Sequence, residues 1–195
     1  MTTPVPLKSP QGHYPKCPSK THFPVITGFV TPGSDYPQPH QLDASISLDV
    51  FDPTEFVGPG QYERIRVVET DTPFLIEVNW CICGAFAESI CGCWEITFFL
   101  DDVDGVGTSS GELPNSTRAV AVGSVKPVPG TNDDVTKRCY NLQVTIPGNT
   151  VQPGAYSLLA IIKLYSGDCP PKPANVLGDY LGFAEIPVLV FVTGE

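Results

Sequence analysis

Beyond residue 42 the chain alternates apolar and polar side chains with a period of two. Ala44 to Phe51 sets Ile46, Leu48 and Val50 on one side and Ser45, Ser47 and Asp49 on the other, the mark of a strand with one buried face. Gln61 to Thr70, after the Gly58-Pro59-Gly60 turn, reads as a second strand. Further strands are predicted over Arg118–Val125, Arg138–Ile146, Ala155–Tyr165 and Ile186–Thr193, divided by clusters of Gly, Pro, Asn and Asp. With the central pair below, about eight strands result, and no helical periodicity competes with them; the spacing predicts an all-β, immunoglobulin-like antiparallel sandwich.

The sharpest pattern lies in residues 74–100. Phe74, Ile76, Val78, Trp80 and Ile82 share one face of a strand, and Trp94, Ile96, Phe98 and Leu100 share one face of the next. Pairing the two about a loop at Ala87 predicts a hairpin with Trp80 opposite Trp94 and all the core residues on one side. That register also sets Cys81 opposite Cys93 and Cys83 opposite Cys91, on the face away from the aromatics. Two nested cross-strand disulfides are the first reading of these four cysteines. Four thiolates gathered in a small area also meet the requirement for a tetrahedral zinc site, although Cys-x-Cys departs from the usual zinc knuckle spacing. Four reduced cysteines are the third reading. Cys17, Cys139 and Cys169 remain, and Cys17 is placed to tie the N-terminal segment to the body or to another subunit.

Tyr140–Ile146, the turn-rich Pro147–Gly154 and Tyr156–Tyr165 together resemble the hairpins of bacterial immunoglobulin-like and fibronectin-like domains. The resemblance implies a sandwich fold and says nothing of function.

Composition changes the picture at the N-terminus. The chain has 21 prolines, 18 glycines and one methionine, a balance that favours short strands and turns over helices. Prolines concentrate in residues 1–42, in stretches such as Tyr36-Pro-Gln-Pro-His40, so this segment is expected to be an extended arm preceding a sandwich domain over 43–195. Its one apolar patch, with Phe23, Val25, Ile26, Phe29 and Val30, suits a short edge strand and needs a sheet edge to lie on. The arm carries Lys8, Lys16, Lys20 and all three histidines against Asp35 alone, whereas the whole chain has a formal charge of −10. A mildly basic arm therefore joins an acidic body. This balance argues against nucleic acid and anionic membrane surfaces as partners.

No basic-then-apolar signal is visible from Met1 to Lys8, and no apolar run approaches a membrane span. Seven cysteines nevertheless tilt the expectation towards an extracellular or cell-surface setting. Enzyme readings find little support, because no histidine follows His40 and no phosphate loop, dinucleotide fingerprint or zinc-protease motif occurs. The best of them is a sandwich glycosidase using Glu77 and Glu95 as its carboxylate pair. Asp101-Asp-Val-Asp-Gly105 is an incomplete calcium loop and an ordinary turn former, and Asn115-Ser-Thr117 is a formal glycosylation acceptor. No cofactor is expected, apart from the zinc alternative. The expected function is a non-enzymatic structural subunit of a surface layer, sheath or filament, with the arm docking on a neighbouring copy. A monomeric ligand-binding or adhesive module is the alternative.

Overall fold

The computed structural model describes residues 26–30, 43–58, 61–84, 87, 90–105, 110–129, 136–165, 169 and 177–194. Its strands in chain order are β1 (Ile26–Val30), β2 (Asp43–Gly58), β3 (Gln61–Arg64), β4 (Val67–Glu69), β5 (Phe74–Gly84) and β6 (Cys93–Asp102). They continue with β7 (Gly111–Glu112), β8 (Arg118–Ala121), β9 (Val128–Pro129), β10 (Thr136–Ile146), β11 (Gly154–Tyr165) and β12 (Leu177–Val192). One 3-10 turn, Val122–Ser124, lies between β8 and β9. The strands form two sheets. The first runs β1-β12-β11-β6-β7, with β4 added to β12 and β8 to β6; the second runs β3-β2-β5-β10-β9.

Most predicted strands recur, because alternation fixes which side chains turn inward; Arg118–Val125 shortens to β8 before the 3-10 turn, and Ile186–Thr193 is the second half of the longer β12. Ile46, Leu48 and Val50 of β2, Phe74 to Ile82 of β5 on even positions, and Trp94, Ile96, Phe98 and Leu100 of β6 are all buried in one core. Tyr156, Leu158, Ala160, Ile162 and Leu164 of β11 complete it from the first sheet, and Tyr140, Val144 and Ile146 of β10 from the second. Twelve strands replace the expected eight because short ladders line the sheet edges. The segment 61–70 divides into β3 and β4, leaving Val67 exposed and Val68 buried.

Both expected hairpins are corrected. β5 pairs with β2 and β10 in the second sheet, whereas β6 pairs with β11, β7 and β8 in the first. Trp80 and Trp94 are therefore neighbours across the sandwich and not across a ladder. Their rings meet edge to face with centroids 6.2 Å apart. In the same way β10 lies in the second sheet and β11 in the first. The physical reason is that the connections 85–92 and 147–153 exceed the two to five residues of a tight hairpin, and are long enough to bridge the ~10 Å between packed sheets. A strand that crosses to the facing sheet buries the same alternate residues as one that folds back beside its predecessor.

One turn shows how closely the connections pack. Asn149 takes a left-handed φ of 61° and donates its N–H to the Thr70 carbonyl at 2.5 Å. A Cβ on the preceding Gly148 would collide with the Asp71 carbonyl oxygen, so this position accepts only glycine.

Tyr140 joins the two tryptophans, stacked on Trp80 at 4.9 Å and edge-on to Trp94 at 6.1 Å. Neither indole N–H has a hydrogen-bond partner, so both side chains act through packing alone. Trp80→Ala and Trp94→Ala should each lower unfolding free energy by about 3–5 kcal/mol, measured by urea denaturation. Because the rings touch, the double variant should lose measurably less than the sum of the two.

Candidate functional site

The inward side chains are consumed by the core, so candidate chemistry lies on the outer faces and edges. On the outer face of the second sheet, β2, β5 and β10 align in exact register and build cross-strand rows. The rows are Asp49, Glu77 and Gln143; Ser47, Asn79 and Asn141; Ser45, Cys81 and Cys139; and Asp43, Cys83 and Lys137. Asn79 Nδ2 donates to Glu77 Oε1 at 2.9 Å, Gln143 Nε2 donates to Glu77 Oε2 at 2.6 Å, and Asn141 Nδ2 donates to Asn79 Oδ1 at 2.7 Å. Arg64 on β3 pairs with Asp49 at 3.2 Å and lies over the Phe51 ring. Glu77, Asn79, Asn141 and Gln143 are thus linked to one another within β5 and across to β10, and Asp49 to Arg64 across to β3.

The Glu77 carboxyl illustrates the balance. Burial pushes its pKa up, but the hydrogen bonds from Gln143, Asn79 and Asn141 and the charge of Arg64 outweigh burial and hold it below the usual carboxylate range. The shift stabilises the carboxylate, which suits a structural anchor. It is the reverse of the raised value that a general acid requires.

The structure separates the two glycosidase candidates. Glu77 lies on the outer face of the second sheet, while Glu95 lies on the outer face of the first, where it accepts a hydrogen bond from Tyr165. The whole sandwich stands between them, so they cannot flank one substrate bond. Their expected closeness depended on the hairpin that the fold replaces.

The four clustered cysteines are divided for the same reason. Cys81 is bonded to Cys139, its direct neighbour on β10, and Cys93 is bonded to Cys169 in the connection between β11 and β12. Cys83 is also disulfide-bonded, and Cys91 is a free, exposed thiol. Oxidised sulfurs on different sheets cannot form a common zinc site. Among the described residues no group of three or more His, Cys, Asp or Glu side chains is placed to hold a metal ion. Both Cys81 and Cys93 do turn away from the core as the alternation required, but the nested pairing is corrected to Cys81–Cys139 and Cys93–Cys169.

Of the arm residues, Ile26, Phe29 and Val30 belong to β1, which pairs antiparallel with β12 of the same chain from Ile26 opposite Glu185 to Val30 opposite Leu181. This part of the arm forms a short edge strand on the first sheet of its own chain. Phe23 and Val25 lie outside the described residues, as does most of the 1–42 segment. In the Asp101–Gly105 turn, Asp102 Oδ1 accepts the N–H groups of Asp104 and Gly105, and Asp104 Oδ2 accepts that of Ala155. These carboxylates hold backbone. A cleft of about 140 Å³ lined by Leu100, Glu112, Leu113, Thr150 and Val151 is smaller than the ~300 Å³ at which ligand pockets begin.

The remaining feature was not legible beforehand. β10 is bonded to β5 along its whole length, but on its other side only Thr136 and Lys137 are paired, to β9. Cys81 and Cys139 have Cα atoms 4.0 Å apart, the close approach of a non-hydrogen-bonded antiparallel pair. By alternation Cys139, Asn141, Gln143 and Thr145 turn their N–H and C=O groups away from β5. Among the described residues no strand takes up these groups. The chain matches no family model and no curated protein.

Because the folded Glu77 pKa is depressed, its stabilisation is complete above the unfolded value of about 4.3 and is lost as pH falls from there through the folded value. The urea midpoint of the wild-type protein should drop between about pH 6 and pH 3. Glu77→Gln should be less stable at the upper pH and should lose less on acidification.

Proposed function

We propose that this chain is a non-enzymatic assembly subunit on an immunoglobulin-like sandwich, and that its copies join edge to edge through β10. The open side of β10 carries this reading. Residues 139–146 contain no Lys, Arg, Asp, Glu or Pro, and the register with β5 runs from Thr136 to Ile146 without a bulge. Edge strands that must remain single are usually blunted by lysine, proline, bulges or a covering segment. Among the described residues none of these devices is present on this stretch.

A second copy is the occupant that fits. Copies of a chain with a formal charge of −10 repel one another over most of their surface, and β10 offers an uncharged line of contact. Antiparallel pairing about a two-fold axis at Leu142 would set Asn141 of each copy opposite Gln143 of the other, and Cys139 opposite Thr145. The outward donors and acceptors would then meet, and the polar faces of both sheets would be continuous. The strand order supports the immunoglobulin-like reading: β2, β5 and β10 face β6, β11 and β12 in the arrangement of strands A, B, E and C, F, G. Disulfides suit an oxidising compartment, outside the cell or at its surface. Among the described residues no helix is long and apolar enough to cross a membrane.

The wild-type protein should show a concentration-dependent rise in mass from 21.0 kDa towards twice that value in size-exclusion chromatography with light scattering. Added salt should favour the larger species by screening the net charge. Thr145→Lys should raise the dissociation constant at least ~10-fold, equivalent to about 1.4 kcal/mol, without lowering the thermal midpoint of the monomer. A wild-type protein that stays monomeric at millimolar concentration would sink the proposal in favour of a monomeric binding module. A variant that associates like wild type would move the contact away from β10.

A further inference from the structure

The two outer faces of the sandwich are built differently. The second sheet turns out Glu77, Asn79, Asn141 and Gln143, the polar rows expected of a face that meets water. By the same alternation the first sheet turns out a row of Thr97, Ile161 and Phe183 across β6, β11 and β12. On one side of this row stand Phe99, Leu159 and Glu185, and on the other Glu95, Lys163 and Leu181. Ile161, Phe183, Phe99 and Leu159 are only half-buried there. Farther along the same flank Val188 of β12 is 51% exposed, and Val67 of the adjoining β4 is 56% exposed. Leu158 to Ile162 of β11 is an unbroken apolar run, the pattern of a strand covered on both faces. The second sheet covers its inner face.

Two charges on the outer face point to what covers it. Lys163 and Glu185 are half-buried, and neither side chain has a hydrogen-bond or ion-pair partner among the described residues. They lie on neighbouring strands, on opposite sides of the Thr97–Ile161–Phe183 row. We propose that this face packs on the same face of a second copy, about a two-fold axis running along that row.

The axis sets the Thr97–Ile161–Phe183 row on its own counterpart and each flanking row over the opposite one of the other copy. Lys163 of one copy then comes over Leu159 of the other, one strand spacing of ~4.8 Å from its Glu185, and symmetry repeats the contact. Side chains of aligned sheets interdigitate at the ~10 Å spacing of packed layers, so both charges gain a partner as the apolar rows leave water. A lipid surface would cover the apolar rows but leave Lys163 and Glu185 unmatched. The face contact does not rest on the β10 reading. Together the two would explain growth: a two-fold contact through β10 alone closes at two copies, whereas a second one on another surface lets the array continue.

Light scattering on the full chain carrying Thr145→Lys, in which β10 pairing is impaired, tests the face by itself. This protein should still approach twice 21.0 kDa at millimolar concentration. Adding Glu185→Lys, or Lys163→Glu in its place, sets like charges against each other across the axis and should raise the dissociation constant at least ~10-fold. An equal mixture of those two variants should associate as the Thr145→Lys protein does, because each reversed charge then faces its complement on the other chain. That recovery also separates a lost contact from a lost fold. A Thr145→Lys protein that stays monomeric would overturn the face contact, whether or not it sediments with phosphatidylcholine vesicles, and would leave a wild-type β10 dimer standing. Charge variants that associate undiminished, or a mixture as weak as its components, would overturn it too.

Discussion

The fold depends on burying the inner faces of two sheets against each other, and the contact of Trp80, Tyr140 and Trp94 is where that burial is most concentrated. Trp80 and Tyr140 are opposed on neighbouring strands of one sheet, and Trp94 meets both rings from the other. Aromatic pairs in stacked and edge-to-face geometry add to the area they remove from water. The cluster stands at the end of the sandwich where β5 leaves the second sheet and β6 enters the first. The Tyr140 hydroxyl donates to the Val122 carbonyl at 3.1 Å, so the same cluster pins the 3-10 turn that leads from β8 back to β9. Arg138 closes this end by donating to the Ile90 carbonyl.

Given that core, the outward positions are available for links that do not disturb it. Cysteines placed on the outer faces can be oxidised without displacing a buried apolar side chain. A cross-strand bond such as Cys81–Cys139 also restricts the unfolded chain by closing a loop between residues 58 apart in sequence. The carboxamide and carboxylate rows beside it act by hydrogen bonding instead. Glu77 accepts from Asn79 on its own strand and from Gln143 on β10, so its two carboxylate oxygens hold two side chains. Asp49 does the same towards the β3 side through Arg64.

The edges are treated unequally. On one side of the first sheet, β1 and β4 share the flank of β12, with β4 parallel to it; on the other, β7 and β8 share the flank of β6. Proline is tolerated where a backbone N–H is not needed by a ladder, and Pro187 within β12 falls at an irregularity in its pairing with β11. The second sheet is closed at β2 by the β3 ribbon, and among the described residues only Thr136 and Lys137 of β10 are paired on its other side, to β9.

Alternation by itself determined the class of fold, nearly every long strand, and the inward residues. It identified Trp80 and Trp94 as buried neighbours and placed Cys81 and Cys93 on the side away from them, because a pleated strand has only two faces and one must leave water. It could not determine which sheet a strand joins. A strand that folds back as a hairpin and one that arches over to the facing sheet present the same residues to the core, and connections such as 85–92 permit both. Two pairwise expectations that needed the answer therefore changed with the tertiary structure: the nested cysteine pairs, and the Glu77 and Glu95 couple. The rows of Glu77, Asn79, Asn141 and Gln143 arise from residues far apart in sequence, and the side of β10 that no described strand pairs beyond Lys137 arises from which strands flank it. Both are properties of neighbours, which only the assembled sheets supply.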